Sequence, residues 1–179
     1  MKRPLLRFLL TCFSLLIGVE SFAMSPEYGE TLNTDPPFAK WTDTELLLNN
    51  GLVQRTIKLP TASAGTFLTT SYKPVTGEFR YFQKTNADFQ FELNDAVYSG
   101  SGDWKLVTIQ KITDTRQGDG AAVTLQSKDG KVELTVNFLL YPNLPVIRKS
   151  LTVKNLTNEP VRLESVDVEK FTVTPYNAT

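Results

Sequence analysis

The sequence predicts an all-β protein built as an antiparallel β-sandwich, and three observations support this fold class. Apolar and polar residues alternate with a period of two along most of the chain, as they do in strands that are buried on one face. Turn-forming residues such as Asn, Asp, Gly and Pro recur roughly every 8–12 residues. No segment longer than about ten residues shows the helical period of 3.6. This combination is typical of a sandwich or a barrel.

The first 23 residues are predicted to be a signal peptide that takes no part in the fold. Lys2, Arg3 and Arg7 form a basic start. Phe8–Val19 is an apolar run of the length expected for a signal peptide, and it is short for a membrane span. Ser21-Phe22-Ala23 places small residues at the −3 and −1 positions of a cleavage site. We therefore expect a secreted or periplasmic protein with no membrane segment after cleavage.

The composition excludes several classes of catalytic and binding site. Removing residues 1–23 of the 179 would leave 156 residues, a net charge of −2 and no cysteine, because Cys12 is the only one. A mature chain without cysteine has no disulfide and no thiolate ligand. The chain also has no histidine, which excludes Ser-His-Asp catalysis and imidazole metal sites. We predict no metal and no cofactor, and the charge argues against nucleic acid as a partner.

Residues 24–41 are predicted to form an irregular leader, and residues 42–179 the β-sandwich domain. The leader is polar and contains Pro26, Pro36 and Pro37, which interrupt regular structure. After it, alternation and β-favouring residues predict a series of strands. In chain order they cover Thr44–Asn49, Leu52–Ile57, Thr66–Tyr72, Glu78–Gln83, Ala87–Leu93, Ala96–Tyr98, Lys105–Thr115 and Ala121–Ser127.

Each predicted strand ends at a turn signal. Asn49-Asn50-Gly51 separates the first two strands, because Asn and Gly tolerate positive φ. Pro60 ends the second strand, because proline cannot donate to the ladder. Asp129-Gly130 is predicted to be the centre of a type I′ hairpin. The other turns and loops are predicted at Thr61–Gly65, Lys73–Gly77, Asn94-Asp95, Ser99–Trp104 and Gln117–Gly120.

Residues 131–169 are predicted to be three consecutive antiparallel strands, around which the rest of the chain is organised. Every second residue from Val132 to Leu140 is apolar, so the first of these strands has one buried face. The third restarts after a turn at 155–160, and the skip between Leu163 and Val166 predicts a β-bulge. On the middle strand, one face is formed by Ile147, Lys149, Leu151 and Val153.

Several blocks of this sequence resemble a known family. Their residues are Tyr141-Pro142 with Val146–Lys149, Leu151–Asn155, Glu159–Glu164, Leu46–Arg55, and Tyr98–Leu106 with Ser99-Gly100 and Trp104. In these blocks the chain resembles the N-terminal domain of family 36 glycoside hydrolases, the α-galactosidases. The resemblance covers most of Thr42–Val173, and its most specific part is the Pro-Val-Ile-Arg block at 145–148.

The resemblance implies a β-supersandwich of the galactose-mutarotase-like type that precedes a catalytic (β/α) barrel. Such a domain is expected to pack on the barrel, to shape one rim of the active site and to mediate subunit contacts. The implied partners are that barrel and galactosides or oligosaccharides, and a homo-oligomer is compatible with this reading. Nothing in the sequence matches the family's nucleophile or acid motifs. We therefore assign no catalytic residue to this chain.

Trp104 and Asp103 are the best candidates for direct carbohydrate binding. A sugar presents C–H faces that stack on an aromatic ring, and a neighbouring carboxylate can bond its hydroxyls. Core packing of Trp104, or packing against the barrel, is the alternative. A stand-alone carbohydrate-binding module using these residues, or a structural or adhesion sandwich, is the alternative to the α-galactosidase-like domain.

Carboxylates are the remaining catalytic candidates, because glycosidases use pairs of them. Asp167 and Glu169 are two residues apart on a predicted strand and would share one face. A solvated strand face is the favoured explanation of that pair. Asp88, Glu92 and Asp103 are likewise predicted to be solvated.

Overall fold

A computed structural model describes residues 36–76 and 86–171, and these two ranges form an all-β fold. Every regular element in them is a strand, which confirms the predicted fold class. The strands are β1 (Ala39–Trp41), β2 (Glu45–Asn49), β3 (Val53–Lys58), β4 (Leu68–Pro74), β5 (Asp88–Leu93), β6 (Ala96–Ser99), β7 (Trp104–Thr113), β8 (Asp119–Ser127), β9 (Val132–Leu140), β10 (Ile147–Asn155) and β11 (Leu163–Lys170).

The strands form three antiparallel sheets in a sandwich-like arrangement. The sheets have the orders β1-β2-β3-β4, β10-β9-β8-β7 and β11-β5-β6. Side chains from all three sheets meet in one core, as the period-two pattern requires. Its fully buried members include Leu46, Leu48, Val53, Ile57, Phe89, Phe91, Val123, Leu125, Leu134, Val136 and Phe138.

Most of the predicted strands that can be compared are present close to their expected bounds. β2 and β3 meet at the predicted Asn49-Asn50-Gly51 turn, where Gly51 has a φ of 84°. Asn94 and Asp95 both have positive φ in the tight turn between β5 and β6. The predicted signal peptide, residues 24–35 of the leader, and the predicted strand Glu78–Gln83 lie outside the described residues.

The leader is not irregular to its end, because its last residues form β1. Ala39–Trp41 pairs antiparallel with Leu46–Leu48 of β2. Phe38 is buried, and its backbone N–H donates to Asp119 Oδ1 over 2.8 Å. Burial and this bond fix the chain directly after the prolines. The first sheet therefore begins inside the segment that we predicted to be irregular.

The hairpin between β8 and β9 is present, but it is not the predicted type I′ turn. Gly130 has a φ of 72°, whereas Asp129 is not among the residues with positive φ. A type I′ turn requires positive φ at both central residues. Asp129 instead accepts hydrogen bonds from the Ser127 hydroxyl at 2.5 Å and from the Lys131 N–H at 3.1 Å. These bonds stabilise a longer turn.

The third strand of the C-terminal stretch lies in a different sheet from the first two. β9 and β10 pair as predicted, and β11 has a register shift between Leu163 and Ser165, which confirms the bulge. However, β11 pairs with β5 and not with β10. The connection is held at the β5–β6 turn, where Arg162 and Asn94 exchange two hydrogen bonds of 2.7 and 3.1 Å. The prediction of three consecutive antiparallel strands is therefore wrong for the last strand.

Asn50 is a buried polar residue that joins two turns. Its Nδ2 donates to the backbone carbonyls of Tyr141 and Leu144 over 2.8 and 2.7 Å. Its Oδ1 accepts from the backbone N–H groups of Leu52 and Val53, both at 3.1 Å. Every polar atom of the side chain is satisfied, as burial requires. The β2–β3 turn is thereby fixed to the turn between β9 and β10.

The loop that follows β6 is held in place by Gly100. Its N–H donates to the Phe89 carbonyl over 3.0 Å, and its carbonyl accepts from the Phe67 N–H over 2.7 Å. A Cβ at this position would lie 1.7 Å from the Ala87 carbonyl oxygen. The close approach of three backbone segments therefore requires glycine here. The bonds of Gly100 fix the position of the loop between β6 and β7.

Candidate functional site

The structure places the two residues predicted for carbohydrate binding in different environments. Trp104 is 3% exposed, and its ring meets Phe89 edge-on at 5.6 Å between centroids. Its Nε1 donates to the Ser99 carbonyl over 2.7 Å. Asp103 is exposed and pairs with Lys128 at 2.9 Å. Trp104 thus packs in the core, the alternative that the sequence left open, and offers no open ring face for a sugar.

A groove of about 320 Å³ lies beside these two residues. Asp103 and Lys128 both line it and satisfy each other's charge. With Trp104 buried in its wall, the groove lacks the exposed aromatic platform that motivated the prediction. Its lining is Thr61, Ala62, Gly65, Asp103, Trp104, Lys105 and Lys128.

The burial of Trp104 can be measured because the chain has only one other tryptophan, Trp41. Trp41 is 40% exposed. We expect acrylamide to quench the fluorescence of Trp41→Phe, which reports Trp104, several-fold less than that of Trp104→Phe, which reports Trp41. Unfolding both variants in urea provides the control, because their quenching should then become similar. Efficient quenching of Trp104 in the folded state would contradict its core position.

The most distinctive polar arrangement is a group of four charged residues, Arg55, Asp88, Lys149 and Glu169, which we call the ion cluster. The Arg55 guanidinium donates from Nη1 to Glu169 Oε1 at 2.7 Å and from Nη2 to Glu169 Oε2 at 3.0 Å. Arg55 Nη2 also contacts Asp88 Oδ1. Lys149 Nζ donates to Asp88 Oδ2 at 2.7 Å and to the Asp88 carbonyl at 2.8 Å. Two cations thus share two carboxylates.

The ion cluster brings together strands from all three sheets. Arg55 lies on β3, Asp88 and Glu169 on the paired strands β5 and β11, and Lys149 on β10. Thr69 of β4 accepts from Arg55 Nε at 3.0 Å and donates to Asp88 Oδ1. Arg55, Asp88 and Lys149 are buried, whereas Glu169 is 35% exposed. The cluster therefore joins the three sheets and reaches solvent through Glu169.

Aromatic rings surround the two cations of the ion cluster. The Arg55 guanidinium carbon lies 5.3 Å from the ring centroid of Phe138, 5.4 Å from that of Tyr72 and 5.1 Å from that of Phe171. Lys149 Nζ lies 5.6 Å from the Phe138 centroid. Cation–π attraction at desolvated sites partly offsets the cost of burying positive charge.

Burial and charge act in opposite directions on the pKa values of this cluster. Burial alone would raise the pKa of Asp88, but Arg55 and Lys149 outweigh it and hold the pKa below its ordinary value. Burial lowers the pKa of Lys149, and Asp88 only partly offsets this effect. Burial would also lower the pKa of Arg55, but Asp88 and Glu169 raise it above its ordinary value. The surroundings therefore favour the charged forms of Asp88 and Arg55, whereas burial disfavours the charged form of Lys149.

The ion cluster has the features of a structural tie and lacks those of a catalytic centre. Both oxygens of Asp88 and both oxygens of Glu169 accept hydrogen bonds within it. Lys149 Nζ is engaged by Asp88 through two hydrogen bonds and is therefore not free to act as a nucleophile. The four charges sum to zero, which is the condition under which buried ions are tolerated.

Sequence reasoning missed this cluster, although part of its signal was present. Lys149 was placed on the apolar face of its strand, and Arg55 lies between the buried Val53 and Ile57 with the same period. Asp88 was predicted to be solvated, which is wrong because it is completely buried. Its φ of 67° removes it from the ordinary strand alternation, so the period-two rule does not apply to its side chain.

The structure does not present Asp167 and Glu169 as a catalytic pair. The register of β11 shifts between Asp167 and Lys170, and this shift interrupts the alternation that the pairing needed. Glu169 is bonded through both oxygens to Arg55. Asp167 lies opposite Gln90 of β5. The two carboxylates therefore have separate environments.

Three other carboxylates, those of Glu92, Asp95 and Glu164, lie within 4.8 Å of one another. Glu164 accepts from Arg162 Nε at 2.7 Å and from the Asp95 N–H at 3.2 Å. Arg162 also approaches Asp95 at 3.9 Å. Because Arg162 pairs with two of the three carboxylates, Asp95 and Glu164, this group has the character of a surface ion pair.

β11 carries a row of exposed apolar residues, Leu163, Val166 and Val168, which we call the apolar strip. Leu163 lies opposite Leu93 of β5, and Val166 lies opposite Phe91. Directly paired residues share one face of a sheet, so the strip continues the face that forms the core. The three side chains are nevertheless 53%, 42% and 37% exposed, respectively. This face of β11 thus lacks the cover that its neighbours have.

Within residues 36–76 and 86–171, there is no helix with the length and apolar character that crossing a bilayer requires. No protein-family model, curated protein or solved structure matches this chain.

Proposed function

We propose that this chain is the non-catalytic N-terminal β-sandwich domain of an exported α-galactosidase-like glycoside hydrolase. Its role is to pack on a catalytic (β/α) barrel of the same enzyme and to shape one rim of that barrel's active site. Galactosides or oligosaccharides are then the substrates of the whole enzyme. The proposal rests on the resemblance of residues 141–164 and on the apolar strip.

The apolar strip is the observation that carries the proposal. Soluble proteins bury large apolar side chains that lie side by side, and a continuous exposed row marks an interaction surface. Among the described residues, β11 is also an edge strand, since β5 is its only partner there. On β10, Leu151 and Val153 are only partly buried. A domain packed here would cover the strip, which makes this side of the sandwich the expected interface with the barrel.

The reading frame beyond the codon for Thr179 provides the first test. We expect it to encode a (β/α) barrel with two catalytic aspartates. A stop codon at that point would overturn the proposal. The purified 1–179 chain should not hydrolyse a nitrophenyl galactoside, and hydrolysis by it would contradict its non-catalytic role. A saturable fluorescence change of this chain on titration with galactosides would instead favour a stand-alone carbohydrate-binding module.

The interface can be tested in the complete polypeptide with a matched pair of substitutions. Val166→Lys places a charge on the apolar strip, whereas Val107→Lys places one on β7, at an exposed valine in another sheet. We expect the first to lower galactoside hydrolysis and the melting temperature of the enzyme, because it buries a lysine at the interface. The second should leave both unchanged. Equal effects of the two variants would contradict an interface at β11.

A further inference from the structure

β11 has weak attachments along most of its length. All eight of its residues are exposed. Its pairing with β5 is interrupted by two register shifts, and its other edge is unpaired within the described residues. Strands with few buried apolar contacts and interrupted ladders open at lower free energy than the core. Something besides packing must therefore hold this strand.

Glu169 supplies the attachment that reaches the buried core, in addition to a side-chain bond that β11 makes to β5. Both of its oxygens bond Arg55 at 2.7 and 3.0 Å, and Lys149 lies 3.6 Å from Oε2. Arg55 is in turn fixed by Asp88 and Thr69. Bidentate Arg–carboxylate pairs are the strongest and most directional of protein ion pairs. Glu169 thus connects an exposed strand to a rigid, buried part of the sandwich.

We propose that Glu169 is a latch, and that neutralising its carboxylate releases β11 from the sandwich while the core strands stay folded. The release would free the apolar strip from its position beside β5. This inference is independent of the proposed role in a glycoside hydrolase, because it concerns only how β11 is held.

Charged groups from three strands surround the Glu169 carboxylate. They are Arg55 from β3 and Lys149 from β10, with Asp88 of β5 behind them. The ring of Tyr72 from β4 lies over the same guanidinium. Without the Glu169 charge, Arg55 and Lys149 would share Asp88 alone.

Hydrogen–deuterium exchange of the 1–179 chain at pH 7 tests the latch directly. In Glu169→Gln, we expect amides of β11 to exchange about tenfold faster or more, the factor that corresponds to one charge-assisted hydrogen bond. Amides of β9 should exchange as in the wild type. Asp167→Asn is the control, since it removes the same charge from the same strand and Asp167 makes no ion pair in the described structure.

The outcomes separate local release from general destabilisation. Unchanged exchange of β11 in Glu169→Gln would overturn the latch, as would equal acceleration of β9 or failure of the variant to fold. If the amides of β11 exchanged equally fast in Asp167→Asn, the loss of a negative charge from the strand, and not the bonds of Glu169, would explain the effect.

Discussion

Replacement of Asp88 by Asn is expected to lower the free energy of unfolding by about 3–5 kcal/mol, the usual cost of removing one partner from a buried ion pair. Asn preserves the size of the side chain and tolerates the φ of 67° at this position. The variant therefore isolates the effect of removing the Asp88 charge. It leaves Arg55 and Lys149 buried with only Glu169 between them. Urea unfolding at pH 7, followed by circular dichroism, measures the loss.

Asp95→Asn is the matched control for this substitution. Asp95 also has positive φ, at 62°, but its side chain is exposed and lies 3.9 Å from Arg162. We expect its free energy of unfolding to change by no more than about 0.5 kcal/mol. Similar losses in the two variants would show that backbone conformation, and not the buried charge, explains the effect at Asp88.

Asp88 also predicts how stability depends on pH. Its pKa is lower in the folded chain than its ordinary value, so the unfolded chain binds the proton more readily. The stabilisation is therefore fully present above the unfolded pKa of about 3.9. It is lost as the pH falls from there through the lower folded value. Urea midpoints should decrease more steeply below about pH 4 in the wild type than in Asp88→Asn.

Asn50→Asp is expected to lower the free energy of unfolding by about 3 kcal/mol or more at neutral pH. The substitution replaces the Nδ2 donor with a carboxylate oxygen that faces the carbonyls of Tyr141 and Leu144. The two buried carbonyls lose their hydrogen-bond donor, and the buried carboxylate faces the negative ends of their dipoles. Both effects lower the free energy of unfolding. Thermal or urea unfolding of the variant at pH 7 measures the loss.

Asn49→Asp provides the control within the same turn. Asn49 uses Oδ1 to accept from the Gly51 N–H at 2.8 Å, and its Nδ2 makes only a 3.5 Å contact with Gln54. An aspartate keeps the main bond, so we expect a small effect. In Asn50→Asp the new carboxyl should have a raised pKa, and protonation in acid should recover part of the loss. A loss at Asn50 that did not shrink in acid would contradict this explanation.

The sequence is sufficient to predict the strands and most turns, because period-two burial and turn residues are local signals. The strand from Val132 to Leu140 and the Asn49-Asn50-Gly51 turn are direct examples. The partner of β11 could not be predicted in the same way. Its pairing with β5 brings together residues that are distant in the chain, such as Arg162 and Asn94, which are 68 positions apart.

The ion cluster shows why charged core residues are harder to predict than apolar ones. Lys149 was recognised on the apolar face of its strand, but nothing local identified Asp88 as its partner. The two residues meet only because three sheets converge, and the positive φ of Asp88 is not encoded by alternation. Trp104 was ambiguous for a similar reason. The sequence predicts an exposed loop before Trp104, and only the backbone bonds of Gly100 show that this loop is held against neighbouring segments.

The long span of the Arg55–Glu169 pair has a kinetic consequence. The two residues are 114 positions apart in the chain, and contacts between distant segments form slowly because a large loop must close first. An interaction that forms after the rate-limiting step of folding affects the unfolding rate more than the folding rate. We therefore expect weakening of this pair to shorten the lifetime of the native state while leaving the refolding rate nearly unchanged.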